Sequence, residues 1–163
     1  MNNKNWYLPV IILLLAISFF VARKFKKSYA PPIELSAITI KDLNGNIVDL
    51  SKLSGKPLVI NFWGTWCGPC RQKLPGFQKV KEKFGGKVNF LMVSDEPVDK
   101  IIKFKEANNY TFLFAQLQKP FHDFGITSVP FTYFYDADGR LIYKKKVELS
   151  GEELEELVKQ MID

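Results

Sequence analysis

The feature that most constrains the fold is an apolar run placed directly before the only two cysteines of the 163-residue chain. The run PLVINFW, from Pro57 to Trp63, is almost continuously apolar, and Cys67 and Cys70 follow it closely. An unbroken apolar run of this length is typical of a strand in a sheet that is covered on both faces. Pro69 suits the first turn of a helix. We therefore predict a buried strand that turns into a helix near Cys67, whose apolar side is formed by Leu74, Phe77, Val80 and Phe84.

The rest of the chain from residue 33 onward alternates between strand and helix patterns. Further strands are predicted at 88–94 and 111–115, and helices at 97–108 and from Ser150 to near the C-terminus. Asn44-Gly45 and Asp138-Gly139 predict the turns of two β-hairpins. Strand–helix–strand units favour parallel neighbours, and hairpins add antiparallel ones. The expected fold is α/β, a mixed β-sheet with helices on both faces and an N-terminal β-hairpin extension.

An uncharged, apolar segment from residue 6 to residue 22 precedes this domain. Its 17 residues would span roughly 25 Å as a helix, near the lower limit for crossing a bilayer. We predict a tail at 1–5, a single transmembrane anchor at 6–22, a basic juxtamembrane linker at 23–32 and one domain at 33–163. A signal peptide cleaved near Ser28–Ala30 and a buried soluble helix are the alternatives.

The positive charge of the chain is concentrated near its N-terminus. Residues 1–30 contain five basic and no acidic side chains, whereas residues 31–163 contain 18 basic and 17 acidic ones. A nearly neutral domain lacks the electrostatic surface that nucleic acid requires, so nucleic acid is not expected as a partner. Four basic residues follow the apolar segment, namely Arg23, Lys24, Lys26 and Lys27. By the positive-inside rule they favour a cytoplasmic domain.

The position of the two cysteines predicts redox chemistry. Free amide groups at the start of a helix stabilise a thiolate at Cys67, which would be an exposed nucleophile, with Cys70 as a more buried resolving thiol. An inert disulfide closing so short a loop would gain little stability. Zinc needs about four ligands, and the cysteines with His122 fall short, so no metal site is predicted. Haem attachment would need histidine where Arg71 stands.

The segment FWGTWCGPC resembles the active site of the thioredoxin superfamily. With SDEP and FGITSVPFTYFYDADG further on, residues 33–163 resemble the TlpA/ResA-type membrane-anchored thiol–disulfide oxidoreductases. The resemblance implies a thioredoxin-like fold, with Cys67 as nucleophile and Cys70 as resolving cysteine. It also implies that Trp63 and Trp66 shape the surrounding surface, and that the substrate contacts Gly68 and Pro69.

The same resemblance places a cis-proline opposite the dithiol, and Pro130 matches it. The backbone of Val129 would then pair with an extended substrate segment. Phe131 stands where the family usually has threonine, which would make the docking groove more apolar.

Two positions depart from the family pattern. Thioredoxins carry a buried acid six residues before the first cysteine, where this chain has Asn61, and ResA-like proteins carry a glutamate three residues after the second, where it has Lys73. Asp95 and Glu96 are candidate substitutes because they follow a strand expected to end at the same edge of the sheet, although a solvated loop is the simpler interpretation. The sole histidine, His122, is expected at the surface.

The sequence therefore predicts a monomeric, membrane-tethered thiol–disulfide oxidoreductase that reduces protein disulfides and needs no cofactor beyond its dithiol. Gly68-Pro69 resembles the reducing thioredoxins, whose potential is about −270 mV. The expected partners are disulfide-containing proteins, such as apocytochrome c, and a thiol electron donor, for which a membrane protein is a candidate. The resemblance favours an extracytoplasmic domain, against the charge rule. A thioredoxin-fold peroxidase and a non-enzymatic redox-sensing module remain alternative functions.

Overall fold

A seven-stranded mixed sheet forms the centre of the protein. The structure, a computed structural model, describes residues 10–15, 31–53, 55–146 and 149–163. The strands are β1 (Ile40–Asp42), β2 (Ile47–Val48), β3 (Leu58–Phe62), β4 (Asn89–Ser94), β5 (Leu113–Leu117), β6 (Phe131–Tyr135) and β7 (Leu141–Lys146).

The order of the strands across the sheet is β2-β1-β5-β4-β3-β6-β7. Strands β3, β4 and β5 are parallel, and the other neighbours are antiparallel. The predicted mixed sheet and both predicted hairpins are confirmed, and β5 lies two residues later than expected. Every residue of β3 is buried, which is the burial expected of a central strand covered on both faces.

Three α-helices pack on one face of the sheet: α1 (Gly68–Phe84), α2 (Val98–Asn108) and α3 (Gly151–Ile162). Their buried residues, including Leu74, Ile101 and Leu154, join one hydrophobic cluster with Val59 and Phe134. The steps from β3 to β4 and from β4 to β5 run in the same direction across the sheet. Because such crossovers are right-handed, both connecting helices must lie on the same face.

The opposite face is covered without any α-helix of the described residues. Its cover consists of the segment from Ile33 to Ile38 and three short 3-10 helices at Leu35–Ala37, Leu50–Leu53 and Phe121–Phe124. The prediction of helices on both faces therefore needs correction: among the described residues, the helices of the second face are 3-10 helices and not α-helices.

Two tyrosines of β6 fasten the start of the domain to this second face. The Tyr133 hydroxyl donates to the carbonyl of Pro31 at 3.0 Å, and the Tyr135 hydroxyl to the carbonyl of Ile33 at 2.9 Å. Burial raises the pKa of both hydroxyls well above the usual value, so both remain donors.

The predicted tail at 1–5 and most of the predicted anchor and linker lie outside the described residues. Within them, residues 10–15 are helical and exposed. None of the helices in the described ranges has the length and apolar character needed to span a bilayer.

Candidate active site

The dithiol lies where β3 passes into α1. After β3 the backbone N–H of Trp63 still donates to the carbonyl of Val93, at 3.0 Å. The chain then turns, and the N–H of Cys67 donates to the carbonyl of Gly64 at 3.1 Å. Helix α1 begins at the next residue. The strand, the turn and the helix together fix the position of Cys67.

Cys67 is the N-cap of α1 and forms a disulfide with Cys70, with an S–S distance of 2.01 Å. Its Sγ atom accepts a hydrogen bond from the backbone N–H of Cys70 at 3.2 Å. Pro69 lies in the first turn, where its missing N–H costs no helical hydrogen bond. An amide aimed at Sγ and the positive end of the helix dipole both favour a thiolate at Cys67 once the disulfide is reduced.

Both cysteines are buried in the disulfide form. Cys67 is 4% exposed and Cys70 is 2% exposed, and both belong to the hydrophobic cluster beneath α1. The predicted exposure of Cys67 is therefore wrong for this state. Val129, which packs against the same cluster, lies beside the disulfide.

The predicted docking segment does lie against the disulfide. The Val129–Pro130 peptide bond is cis, as predicted, and the Val129 carbonyl oxygen lies 3.7 Å from Sγ of Cys67. Pro130 and Phe131 are buried, whereas Val129 is only partly buried. The backbone of Val129 is thus the part of this segment closest to the redox centre.

The two tryptophans of the motif have different environments. Trp66 is 66% exposed, as a surface residue should be. Its indole lies over Gly64, so that a Cβ atom at residue 64 would lie 2.7 Å from the indole nitrogen. Trp63 is fully buried and packs on Phe104 and Phe114, with ring centroids 4.7 and 5.6 Å away. The prediction that Trp63 shapes the surface is wrong, because its side chain points into the sheet–helix core.

A groove of about 440 Å³ borders the dithiol on the side of α2. Gly68 lines it, which puts this predicted contact residue at an open surface. The remaining lining residues are Arg71, Gln72, Phe104, Asn108 and Tyr110.

Asn61 occupies the buried position where thioredoxins carry an acid. It lies on the helix-facing side of β3 and its side-chain amide donates to Oγ1 of Thr132 at 2.9 Å. Asn61 and Thr132 are only 4% and 3% exposed. The sequence did not reveal Thr132, because the pairing of β3 with β6 joins residues that are far apart in the chain.

Lys73 lies next to the start of α3 and is partly buried. It lines a cavity with Ser150 and Glu153, and its charge contributes to a lowered pKa of the Glu153 carboxyl. The largest cause of that lowering is the hydrogen bond from Lys145. The electrostatic partner identified for Lys73 is therefore a carboxylate of α3.

Asp95 and Glu96 both bind backbone N–H groups of neighbouring loops. Asp95 accepts from the N–H of Phe121 at 3.1 Å. Glu96 is 7% exposed and accepts from the N–H and the hydroxyl of Thr65, at 2.6 and 2.8 Å. The interpretation of Glu96 as part of a solvated loop is wrong. Sequence analysis did not identify Thr65 as a site residue, although its position in the motif, next to Trp66, could have indicated one.

His122 is exposed and lies 3.0 Å from a carboxylate oxygen of Asp123, in agreement with its predicted surface position. Within the described ranges, no group of three or more histidine, cysteine, aspartate or glutamate residues could hold a metal ion.

Comparison with known proteins identifies the relatives of this chain. The model of the AhpC/TSA family matches residues 28–151, which is most of the sequence. The thiol-disulfide oxidoreductase ResA of Bacillus cereus is 28% identical, over 98% of both chains. The thioredoxin-like protein YneN of Bacillus subtilis is 31% identical over 62% of each.

Solved structures agree with this assignment. A thiol:disulfide interchange protein from a Bacteroides species superimposes with a TM-score of 0.70 at 27% identity, covering 83% of this chain and 91% of the other. The fold is therefore thioredoxin-like, as the active-site motif predicted. With the Cys67–Cys70 pair at the start of α1, the chain belongs to the AhpC/TSA family and is a thiol–disulfide oxidoreductase.

Proposed function

We propose that this chain is a monomeric, membrane-tethered reductase of protein disulfides. The observation that carries the proposal is the environment of Cys67. It caps α1, its Sγ accepts the N–H of Cys70, and it lies beside the partly exposed backbone of Val129. This arrangement favours a nucleophilic thiolate next to a place where an extended polypeptide can bind.

The reaction transfers two electrons from the dithiol to the substrate. The Cys67 thiolate attacks one sulfur of the substrate disulfide, which forms a mixed disulfide and releases the other substrate sulfur as a thiolate. Cys70, once deprotonated, attacks Sγ of Cys67 and displaces the second substrate thiolate. The substrate thiolates take up the two protons lost by the cysteines. The product is the Cys67–Cys70 disulfide, and a dithiol donor must reduce it before the next turnover.

The resolving step depends on the position of Cys70. Cys70 is buried in the first turn of α1, and its own N–H contacts Sγ of Cys67. Its thiol is therefore held close to the sulfur that it attacks. Proximity of this kind converts resolution into an intramolecular step and limits the lifetime of the mixed disulfide.

Residues 6–22 would provide the tether, and the domain would face the extracytoplasmic side. The apolar length of that segment and the resemblance of the motif-bearing domain to membrane-anchored oxidoreductases support the tether, whereas the basic residues that follow the segment favour the opposite orientation. On the extracytoplasmic side, exported thiol proteins such as apocytochrome c become substrates, and a membrane thiol protein becomes the electron donor. Alkaline phosphatase fused after Asp163 should be active, and activity only of a cytoplasmic reporter would reverse the orientation.

A pair of cysteine variants tests the mechanism. Reduced Cys70→Ser should accumulate a mixed disulfide with insulin, whose disulfides are intact, or with a disulfide-bonded peptide, and Cys67→Ser, its matched control, should not. The wild-type protein should reduce insulin with dithiothreitol as donor. Absence of turnover with an intact dithiol would indicate a redox-sensing module, and turnover of peroxide by Cys70→Ser would indicate a peroxidase.

A further inference from the structure

We propose that Glu96 is a positioning residue for Cys67, holding the Gly64–Cys67 turn and keeping the dithiol a reductant through its negative charge. The inference deepens the proposed reductase function and rests on it. Glu96 belongs to neither the disulfide nor the substrate-docking segment, yet it is one of four buried polar or charged residues identified in the described structure.

The hydrogen bonds of Glu96 converge on one residue of the active-site turn. One carboxylate oxygen accepts the backbone N–H of Thr65 at 2.6 Å, and the other accepts the Thr65 hydroxyl at 2.8 Å. Thr65 is therefore held at both its backbone and its side chain. Hydrogen bonds to a charged acceptor are stronger than those between neutral groups. This bidentate contact fixes the turn two residues before the nucleophile.

Glu96 itself is held in place by two strands. The Ser94 hydroxyl lies 3.3 Å from the same oxygen that binds the Thr65 N–H, and it also accepts the N–H of Glu96. The side-chain amide of Gln116 in β5 donates to the Glu96 carbonyl at 3.1 Å. Residues at the ends of β4 and β5 thus hold Glu96 in the position from which it binds the turn.

The turn transmits this constraint to Cys67. Its closing hydrogen bond runs from the N–H of Cys67 to the carbonyl of Gly64, on either side of Thr65 and Trp66. Displacement of Thr65 would move the N-cap sulfur relative to Val129. Displacement would also move the exposed indole of Trp66, which lies over Gly64.

The charge of Glu96 acts on the redox equilibrium. Both carboxylate oxygens act as acceptors, and the backbone N–H and hydroxyl of Thr65 and the hydroxyl of Ser94, which donate to them, are neutral groups. A negative charge close to a thiol disfavours the thiolate, and Glu96 binds the turn two residues before Cys67. Because the reduced form gains stability from the thiolate, this charge makes the couple more reducing. The helix dipole acts in the opposite direction, and the potential reflects both.

The variant Glu96→Gln, made in the full chain, separates the effect of the Glu96 charge from the effect of the turn position. The glutamine oxygen still accepts the Thr65 N–H, and its amide donates to the Thr65 hydroxyl, so the turn is retained while the charge is lost. Equilibrated against dithiothreitol, the variant should favour the reduced protein about tenfold more than the wild type does, a shift of about 30 mV towards oxidising values. Its circular dichroism spectrum should be unchanged.

Two variants complete the test. Asp95→Asn removes the neighbouring charge, which binds Phe121 instead of the turn, and should shift the equilibrium constant less than twofold. Thr65→Val keeps the charge but loses one hydrogen bond, so it should keep the wild-type potential while kcat/KM for insulin falls severalfold. The wild-type potential by itself tests the reductase proposal, whereas the difference between variant and wild type tests Glu96.

An unchanged potential in Glu96→Gln, or an equal shift in Asp95→Asn, would overturn the inference. If Glu96→Gln does not fold, the potential of Glu96→Asp tests the inference instead. It keeps the charge but shortens the side chain, so the wild-type potential should be retained with a lower kcat. A shifted potential in Glu96→Asp would contradict the role of the charge.

Discussion

At the scale of single residues, the helix-facing side of β3 carries a neutral amide close to the redox helix. Asn61 and Thr132 form a buried pair across β3 and β6, joined by one hydrogen bond of 2.9 Å. Neither side chain titrates, so this site gives the dithiol no buried proton acceptor of the thioredoxin kind. The buried carboxylate next to the active-site turn is instead Glu96, which enters from the end of β4.

Asn61→Asp should make stability depend on pH. Burial raises the pKa of an introduced carboxyl in the folded state above its unfolded value. Such a group adds no pH-dependent cost below the unfolded pKa, destabilises the fold progressively as the pH rises from the unfolded to the folded pKa, and has its full cost above the folded pKa. We expect an additional loss of about 1–3 kcal/mol at pH 8 relative to pH 4, measured by urea unfolding. A penalty that is equal at both pH values would contradict the burial of this site.

Lys73→Glu should leave the two thiols almost unaffected. Lys73 lines a cavity with Glu153 at the start of α3, and its charge contributes to the lowered pKa of that carboxyl. Alkylation of the reduced cysteines across the pH range should therefore differ less than about twofold from the wild type. A clear rise in the pH needed for alkylation of Cys70 would show that Lys73 activates that thiol.

At the scale of elements, the start of α3 combines a capping box with a surface ion pair. The Ser150 hydroxyl accepts the N–H of Glu153, and the Glu153 carboxylate accepts the N–H of Ser150. Lys145 of β7 donates to the same carboxylate at 2.6 Å. Helix α3 also crosses α1 where Gly76 and Gly151 meet, since a Cβ on Gly76 would lie 3.3 Å from Cα of Gly151. The cap therefore fixes the helix that packs on the redox helix.

Glu153→Gln should remove a pH-dependent part of the stability. The hydrogen bond from Lys145, followed by that from the Ser150 backbone, lowers the pKa of Glu153 in the folded protein. A lowered pKa stabilises the fold above the unfolded pKa and ceases to do so as the pH falls through the folded value. The variant should thus have a lower urea midpoint than the wild type at pH 7, and the two should converge near pH 3.

Ser150→Ala is the matched control for this prediction. It removes the hydroxyl half of the cap and should cost about 1 kcal/mol at both pH values. A difference between Glu153→Gln and the wild type that persists at pH 3 would show that the carboxylate charge is not the stabilising feature.

At the scale of the whole molecule, the segment that enters the domain is fastened across the face opposite the α-helices. Tyr133 and Tyr135 bind the carbonyl groups of Pro31 and Ile33. Tyr135→Phe leaves the Ile33 carbonyl without this donor, which should cost about 1–2 kcal/mol in the free energy of unfolding. Tyr143→Phe, at a half-exposed position of β7, should change stability by less than about 0.5 kcal/mol. Equal losses in both variants would contradict the fastening role.

Local patterns were sufficient to predict the strands and the three α-helices of the domain. The apolar run of β3, the helical spacing of α1, two Gly-containing hairpin turns and the Ser150–Glu153 cap each depend on neighbours in sequence. The cysteine motif was enough to locate the redox site. These signals work because the interactions behind them join residues only a few positions apart.

Contacts between distant segments could not be predicted in the same way. Burial of Trp63 depends on Phe104 and Phe114, which come from two other elements. The Glu96–Thr65 contact joins residues 31 apart, and the Asn61–Thr132 pair joins residues 71 apart. Placing α1, α2 and α3 on one face required the strand order, which no local pattern contains.

The central claim is that the dithiol of this chain is a reductant, and its reduction potential tests that claim most directly. The full chain would be equilibrated with defined ratios of reduced and oxidised dithiothreitol, and the fraction of Cys67–Cys70 disulfide measured by alkylation. The account predicts a potential of about −270 mV, in the range of thioredoxin. A value near −120 mV, typical of a disulfide-forming oxidant, would contradict it.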